Sequence, residues 1–206
     1  MAPKYSILGV DWREYPRSRC RSVTEAQLDL SNIEEEDDPQ LVARAQRGDR
    51  RAFGVLVQRH QVAVYRVCVR ILIDVDDAAD AAQESFLRAY TRLDSFRQQS
   101  AFKTWLVRVA VNVSLNARDR RQPVEELDEL RLPPTPSAEA AAMRADTVAS
   151  VHRALQILPH NHRVAVILRD LEGYSYGEVA NILDVPEGTA KGWAHRGRER
   201  LKEILT

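Results

Sequence analysis

The stretch YSYGEVANILDVPEGTAKGWAHRGRERLKEIL, residues 174–205, has the spacing of two helices joined by a three-residue corner. Apolar residues recur at helical intervals up to Leu183, the pattern breaks at residues 184–186, and a second periodic run opens at Pro186. Proline suits the first turn of a helix, where its missing N–H would have no intrahelical acceptor, and Glu187 is stabilised by the positive end of the same helix. The pattern predicts a helix-turn-helix.

The second of these helices has an apolar side and a cationic side. At about 100° per residue, the apolar side carries Ala190, Trp193, Ala194, Gly197, Leu201 and Ile204, and the opposite side carries Lys191, His195, Arg198 and Lys202. A helix of this width fits the major groove of DNA, where cations meet phosphates and the N-terminal half of the helix meets base edges. We interpret it as a reader of duplex DNA; the alternative is a solvated amphipathic helix.

The charges of the chain balance overall but are unevenly distributed. The 206 residues include 30 Lys and Arg and 30 Asp and Glu, so the formal net charge is zero. Residues 96–121 nevertheless hold six Lys or Arg against one Asp, residues 186–202 hold five against two acids, and residues 34–38 are five consecutive acids. Zero net charge argues against a uniformly cationic nucleic-acid binder, whereas two basic concentrations predict two separate nucleic-acid contacts.

Cysteine usage and hydropathy indicate the compartment. Cys20 and Cys68 lie far apart with no second Cys or His at metal-ligand spacing, and His160 and His162 are two residues apart rather than three or four. We expect neither a disulfide framework nor a metal site, and no cofactor. No apolar run approaches the roughly 20 residues of a membrane span, and no signal-peptide core is present at the N-terminus. The expected location is the reducing cytoplasm.

The first half of the chain is predicted to be a flexible extension followed by helices. Residues 1–38 show no sustained periodicity. Apolar spacing then predicts a short helix ended by Gly48, a long helix over residues 52–71 and, after a break at residues 74–77, a third helix over residues 78–90.

Residues 96–121, FRQQSAFKTWLVRVAVNVSLNARDRR, predict a helix with a buried apolar stripe and a polar outer surface. The outer surface and the preceding loop combine cations, amides and an aromatic: Phe96, Arg97, Lys103, Arg108, Asn112, Asn116, Arg118, Arg120 and Arg121. This composition suits single-stranded DNA, because cations neutralise the backbone while unstacked bases are held by stacking and by hydrogen bonds to their edges. We assign Phe102 and Trp105 to the core.

Residues 122–137 contain four prolines and four acids, which excludes a helix and predicts an extended, negatively charged linker. Beyond it, apolar spacing predicts a helix over residues 138–158 and another over residues 160–171, ended by Gly173. The predicted fold class is therefore all-α, with two small helical domains, residues 39–121 and 138–206, on either side of the linker.

Three segments in this order resemble the extracytoplasmic-function (group 4) sigma factors of bacterial RNA polymerase. They are DDAADAAQESFLRAY at residues 76–90, FRQQSAFKTWLVRVAVN at 96–112 and LPHNHRVAVILRDLEGYSYGEVANILDVPEGTAKGWAHRGRERL at 158–201. The resemblance spans about residues 38–205. It implies a sigma-2-like domain over residues 39–121 and a sigma-4-like helix-turn-helix domain over residues 138–206.

The resemblance also implies three sets of contacts. The residues expected to contact the clamp helices of the polymerase largest subunit are Asp80, Gln83, Glu84 and Phe86. Without the resemblance, the first three of these residues are typical of a solvated helix edge. Those expected to contact the minus-ten promoter element, where the family captures a flipped base, are Phe96, Arg97, Lys103, Arg108, Asn112, Asn116 and Arg120. Those expected to contact the minus-thirty-five element are Thr189, Lys191, Gly192, His195, Arg196 and Arg198.

The partners implied by the resemblance are core RNA polymerase, through its clamp helices and flap, promoter DNA, and an anti-sigma factor, which in this family is often membrane-tethered. One departure from the family is Gly192-Trp193-Ala194, where members commonly have a Ser, an Arg and a bulky aliphatic residue. Loss of the Arg removes a phosphate contact, and Gly within a helix costs about 1 kcal/mol relative to Ala.

The competing interpretation is a helix-turn-helix regulator that binds duplex DNA and has no role as a polymerase subunit. Residues 96–121 discriminate between the two, because a reader of duplex DNA alone does not need a surface for separated strands. We do not expect an enzyme or a small-molecule substrate, since no catalytic triad, paired carboxylates or Gly-rich phosphate loop is present in the sequence.

Overall fold

The computed structural model describes residues 33, 35–120, 150, 151 and 153–205, and no strand occurs among them. The helices are α1 Asp38–Gln46, α2 Arg50–Leu72, α3 Val75–Thr91, α4 Phe102–Arg120, α5 His160–Val166, α6 Tyr176–Leu183 and α7 Glu187–Leu205. A 3₁₀ turn, Leu93–Ser95, follows α3, and a π-helical turn, Ile167–Leu171, extends α5. The all-α prediction is confirmed. The predicted linker, most of the N-terminal extension and most of the predicted helix at 138–158 lie outside the described residues.

Aspartates set the starts of the first three helices. Asp37, Asp49 and Asp74 precede α1, α2 and α3, and each side-chain carboxylate accepts hydrogen bonds from N–H groups of the first turn. These N–H groups lack intrahelical acceptors and form the positive end of the helix, so a carboxylate there is doubly favourable. Because Asp74 accepts from the N–H of Asp77 at 2.8 Å, α3 begins at Val75. The predicted break between α2 and α3 is present, but it lies at residues 73 and 74 rather than 74–77, because residues 75–77 form the first turn of α3.

The N-terminal helices enclose a core of aliphatic and aromatic side chains. Fully buried aliphatic members include Leu41, Leu56, Val64, Leu106 and Ala110. The aromatic members Phe86, Phe96 and Phe102 are between 4% and 7% exposed. Pairing of α2, α3 and α4 around this core leaves the remaining faces of α2 and α4 available for other contacts.

The helix-turn-helix has the predicted corner. α6 ends at Leu183 and α7 begins at Glu187, so residues 184–186 form the connection. Asp184 adopts a left-handed backbone conformation with φ of 58°, which aspartate tolerates better than most residues. The chain therefore turns sharply, and the N–H of Val185 donates to the carbonyl of Ala180 at 3.1 Å.

The two domains share a buried apolar interface. Val67 and Ile71 of α2 and Val107 and Val111 of α4 are 0–1% exposed and belong to the same apolar cluster as the core of the C-terminal domain. Residue spacing does not predict this contact, because a helix that packs on two neighbours has apolar residues on both faces. The domains are in contact in the structure, and the C-terminal domain packs on α2 and α4.

Candidate nucleic-acid interface

Helix α7 places the predicted minus-thirty-five residues along its length. Its buried side consists of Ala190, Ala194 and Gly197. Lys191, His195 and Arg196 are exposed, and Thr189 and Gly192 are half-buried. The N-terminal half of α7 thus presents polar and cationic side chains to solvent, as the helical spacing predicted.

Arg198 has protein partners within the domain. Its Nη1 lies 3.2 Å from Oδ1 of Asp170, and its Nη2 donates to the hydroxyl oxygen of Tyr176 at 3.3 Å. The hydrogen bond from Arg198 lowers the pKa of Tyr176. The predicted placement of Arg198 among solvent-facing cations is wrong in this respect, because its guanidinium ties α7 to the π-helical turn and to the start of α6.

Arg196 lies beside a histidine of α5. Its Nε donates to Nε2 of His162 at 3.4 Å. Burial lowers the pKa of His162, and the neighbouring guanidinium acts in the same direction, so the neutral imidazole that accepts the bond is favoured. His162 therefore serves as a hydrogen-bond acceptor for Arg196. No group of three metal-ligating side chains occurs among the described residues.

The predicted minus-ten residues fall on two sides of α4. Arg97, Lys103 and Asn112 are exposed, and Arg108 is half-buried. Phe96 is only 7% exposed, and its ring centroid lies 5.0 Å from that of Trp105. The predicted exposure of Phe96 to a captured base is therefore wrong: its ring is a core group.

A cleft of about 400 Å³ lies between the start of α4 and the helix-turn-helix corner. Its lining includes Ser100, Thr104, Trp105 and Arg108 on the N-terminal side and Asp184 on the other. Trp105, which the sequence assigns to the core, is half-buried and contributes to this surface. Its position, one helical turn before Arg108, is the signal that could have placed it on the polar side of the helix.

Asn116 and Arg120 lie elsewhere, in a groove of about 380 Å³ between α3 and α4. The same groove is lined by Asp80 and Glu84, which the resemblance assigns to polymerase binding, and by Arg88. The Nε of Arg88 is 2.6 Å from Oε1 of Glu84, an ion pair one helical turn apart. The predicted minus-ten and polymerase residues thus meet in one groove.

The two remaining predicted polymerase contacts differ in exposure. Gln83 is half-buried at the surface of α3. Phe86 is 4% exposed and belongs to the N-terminal core, so the prediction that it touches a partner directly is wrong. Its aromatic side chain instead holds α3 against its neighbours, which fixes the edge that carries Asp80 and Glu84.

No described helix is both long and apolar enough to cross a membrane. Two packed helical domains, one with a helix-turn-helix and the other with a polar helical surface, define a DNA-binding protein of the transcription machinery. Residues 56–124 match sigma-70 region 2, and residues 149–201 match sigma-70, region 4. The chain belongs to the extracytoplasmic-function sigma factors of the sigma-70 family and has the function of an RNA polymerase sigma factor.

Two RNA polymerase sigma factors are similar to this chain over most of its length. The RNA polymerase sigma-H factor of Pseudomonas aeruginosa is 39% identical over 185 residues, which cover 84% of this chain and 96% of that protein. The ECF RNA polymerase sigma-E factor of Salmonella typhimurium is 39% identical over 176 residues, covering 80% and 92% of the two chains.

Two solved structures are similar to most of this chain. CnrH in complex with the cytosolic domain of CnrY has a TM-score of 0.63 and 30% identity, covering 82% of this chain and 96% of CnrH. The sigma factor RpoE in complex with the anti-sigma factor NepR from Bartonella quintana has a TM-score of 0.59 and 25% identity, covering 74% and 96%.

Proposed function

We propose that this sigma factor directs core RNA polymerase to promoters with α7 on the minus-thirty-five element and α4 on the separated minus-ten strand. The observation that carries this assignment is the presence of two different polar surfaces in one chain. The surface of α7 is a helix of groove width with Lys191, His195 and Arg196 exposed. The surface of α4 and its preceding loop combines Arg97 and Arg108 with an amide, as separated strands require.

In this proposal, each domain has its own role. The domain of residues 39–121 binds polymerase and the minus-ten element, and the domain of residues 138–206 binds the minus-thirty-five element. Residues 122–137 are the linker between them. The groove between α3 and α4 is the surface we assign to the clamp helices. Its acidic edge, Asp80 and Glu84, supports electrostatic docking of a basic helical partner. Phe86 does not contact the partner; it is buried in the core and holds α3 in position for this contact.

The minus-ten contacts that the geometry supports directly are Arg97, Lys103, Arg108 and Asn112. Asn112 is exposed on α4, one turn beyond Arg108, where an amide can hydrogen-bond a base that has left the stack. Asn116 and Arg120 line the groove with Asp80 and Glu84, and this placement favours polymerase binding for the two residues.

The partners in this proposal are core RNA polymerase, including the flap, promoter DNA and an anti-sigma factor. The sigma factor RpoE of Bartonella quintana is seen with an anti-sigma factor, which supports a partner of that kind here. The protein acts in the cytoplasm, where polymerase is found, and it contributes recognition and strand opening rather than catalysis.

A reconstituted transcription assay tests the proposal. Purified protein is added to core RNA polymerase on a library of genomic promoter fragments from the source organism, and start sites are mapped by sequencing transcripts. The proposal expects initiation at a subset of fragments that depends on the added protein. If duplex fragments are bound without any new initiation, the protein is a regulator that reads duplex DNA, as in the competing interpretation.

A further inference from the structure

The last residue of α1, Gln46, reaches across to the 3₁₀ turn that precedes α4. Its Nε2 lies 2.9 Å from the carbonyl oxygen of Leu93 and 3.0 Å from that of Phe96, so one amide group donates to both carbonyls. The carbonyl of Leu93 also accepts from the N–H of Phe96 at 3.0 Å. For Leu93 the amide of Gln46 is therefore an additional link, which ties α1 to the turn.

Helix α1 is a firm support for this link. Leu41 is 0% exposed in the N-terminal core. Nη2 of Arg44 lies 2.7 Å from Oδ2 of Asp49, the cap of α2, and Oδ1 of Asp38 lies 2.6 Å from Nη1 of Arg59 within α2. A side chain carried by a helix that is fixed at both ends positions its partners more precisely than one carried by a loop.

The anchored turn leads into a loop, residues 97–101, whose two ends are fixed. The rings of Phe96 before the loop and Phe102 after it are buried, and their centroids are 5.8 Å apart. Between these ends, the exposed Gln98 has a left-handed backbone with φ of 54°. Residues with a β-carbon adopt this conformation only where the surrounding structure imposes it. The anchors on either side of Gln98 are the groups that impose it.

The loop forms one edge of the surface that we assign to the separated strand. Arg97 is exposed at its start. Gln99 and Ser100 line the cleft beside the start of α4, together with Trp105 and Arg108. The backbone conformation of the loop therefore sets the position of these polar groups relative to the cations of α4.

We infer that Gln46 is a positioning residue for strand capture, which acts through the carbonyls of Leu93 and Phe96 to hold the loop in the conformation that the strand binds. This inference rests on the proposed function of α4. The apparent dissociation constant equals the intrinsic constant divided by the fraction of molecules whose loop is already in the binding conformation. Loss of the anchor lowers this fraction and weakens strand binding, although no group that touches the strand is removed.

The test uses the full chain in complex with core polymerase. Gln46→Met keeps the length of the side chain but cannot donate a hydrogen bond, and Gln46→Lys restores a donor. Gln58→Met makes the same exchange at an exposed position of α2 and is the matched control. Fluorescence anisotropy measures affinity for a labelled non-template strand of the minus-ten region, taken from a promoter that is active in the transcription assay. Affinity for core polymerase is measured on the same samples, well below their melting transitions.

Gln46→Met is expected to weaken strand binding roughly tenfold and to leave affinity for core polymerase unchanged. Gln46→Lys should recover most of the loss, and Gln58→Met should match wild type. A purely structural role for Gln46 would lower the melting temperature but not the strand affinity of the folded protein. Equal strand affinities for Gln46→Met and Gln58→Met overturn the inference.

Amide hydrogen exchange of the free protein reports the loop directly. Peptides that cover residues 93–101 should exchange faster in Gln46→Met than in wild type, because the loop opens more often without its anchor. Unchanged exchange in these peptides would contradict the inference, since Gln46 would then not hold the loop.

A second pair of variants tests the loop without touching Gln46. Gln98→Gly and Gln98→Val remove the same exposed amide, so the difference between them isolates the backbone. Glycine adopts positive φ readily, whereas a β-branched residue strongly disfavours it. Gln98→Val should bind the strand roughly tenfold more weakly than Gln98→Gly. Equal affinities would show that the left-handed conformation is not the one that the strand binds.

Failure of the inference and failure of the proposed function give different results. If the wild-type complex initiates transcription and Gln46→Met binds the strand equally well, the inference is wrong and the proposed function stands. If no promoter fragment supports initiation with wild type, the proposed function is wrong. Gln46 is then only a structural anchor of the loop, which overturns the inference as well.

Discussion

A β-carbon placed on Gly197 would lie 2.6 Å from Cγ2 of Val166, which is closer than two non-bonded carbon atoms can approach. Helix α7 therefore packs backbone against side chain on α5, with the carbonyl oxygen of His162 also only 3.1 Å from that β-carbon. This close approach seats α7 in the domain and leaves its opposite side exposed. The glycine is required by packing, although its position within a helix makes it unfavourable in propensity.

We predict that Gly197→Ala destabilises the C-terminal domain. Overpacking costs typically about 1–3 kcal/mol, which exceeds the gain of about 1 kcal/mol from replacing Gly by Ala in a helix. The melting temperature should fall by several degrees in a thermal melt followed by circular dichroism. Gly192→Ala is the control, since its β-carbon would meet only the mobile end of Arg196, at 3.4 Å, and the change should raise stability slightly. Equal effects of the two changes would show that the close approach is absent.

Arg163 is predicted to be indispensable for the fold of the C-terminal domain. It is fully buried, and its guanidinium donates to the carbonyls of Leu155 at 2.6 Å and Leu158 at 3.0 Å, at the end of the helical segment preceding α5. Burial lowers the pKa of Arg163 to about 10. Arg163→Met leaves these carbonyls unsatisfied at about 1–3 kcal/mol each, so urea unfolding should show a total loss of roughly 3 kcal/mol or more.

The exposed Arg153, which lies on the segment that Arg163 caps, is the matched control. Arg153→Met removes the same charge from the surface and should change stability by less than about 0.5 kcal/mol. Comparable losses for the two arginines would mean that total charge, and not the buried hydrogen bonds, governs the stability of this domain.

Lys191 and Arg198 are expected to differ although both are cations of α7. Lys191 is exposed, so Lys191→Ala should weaken binding to a duplex minus-thirty-five fragment and reduce the salt slope by about one. Arg198 holds Asp170 and Tyr176, so Arg198→Ala should also lower the melting temperature. Anisotropy titrations at several salt concentrations, with thermal melts of the same samples, make the comparison. A salt slope unchanged by Lys191→Ala would remove that residue from the interface.

Asn112 and Asn116 provide a matched pair on α4. Both are exposed, but only Asn116 lines the groove with Asp80 and Glu84. Asn112→Ala should reduce open-complex formation roughly tenfold, in line with the about 1–3 kcal/mol of an amide contact to a base edge, and leave duplex binding intact. Asn116→Ala should instead weaken affinity for core polymerase. Fluorescence of 2-aminopurine in the minus-ten element reports strand opening, and a reversal of the two effects would exchange the assignments.

The helix-turn-helix was predictable because its signals are local. The corner at residues 184–186 follows from a break in apolar spacing and from Pro186, and the structure has it at the same residues. Gly173 likewise ends the helical segment before it, with φ of 79°. Such features depend on neighbours in the chain, so one sequence is enough to predict them.

The contacts between domains were not predictable in the same way. Glu172 and Arg70 are 102 residues apart, and Glu172 stands alone between an apolar residue and Gly173, where no periodic pattern includes it. Phe86 and Phe96 were predicted to contact partners, but both are buried in the core. A sequence motif identifies the residues of a region without showing which of them face the core. The helical spacing predicted that Gly197 lies on the packed side of α7, which is correct, but only the distance to Val166 shows why no side chain fits there.

The stability of the N-terminal domain should fall as the pH drops, because of His60. The imidazole is 7% exposed, packs near the Phe102 ring, and has Nε2 2.7 Å from Oδ2 of Asp38. Burial lowers the pKa of His60 below its usual value of about 6.5, and Asp38 opposes this effect only in part. The unfolded chain therefore binds the proton more readily than the folded protein does.

This sign sets the pH window. The contribution of neutral His60 is fully present above about pH 6.5 and is lost as the pH falls from there toward the folded-state pKa, with a slope of at most about 1.4 kcal/mol per pH unit. Urea midpoints measured at about pH 7.5 and pH 5.5 should differ more for wild type than for His60→Gln, which keeps a polar group near Asp38 but does not titrate. Parallel losses in the two proteins would assign the acid sensitivity to other groups.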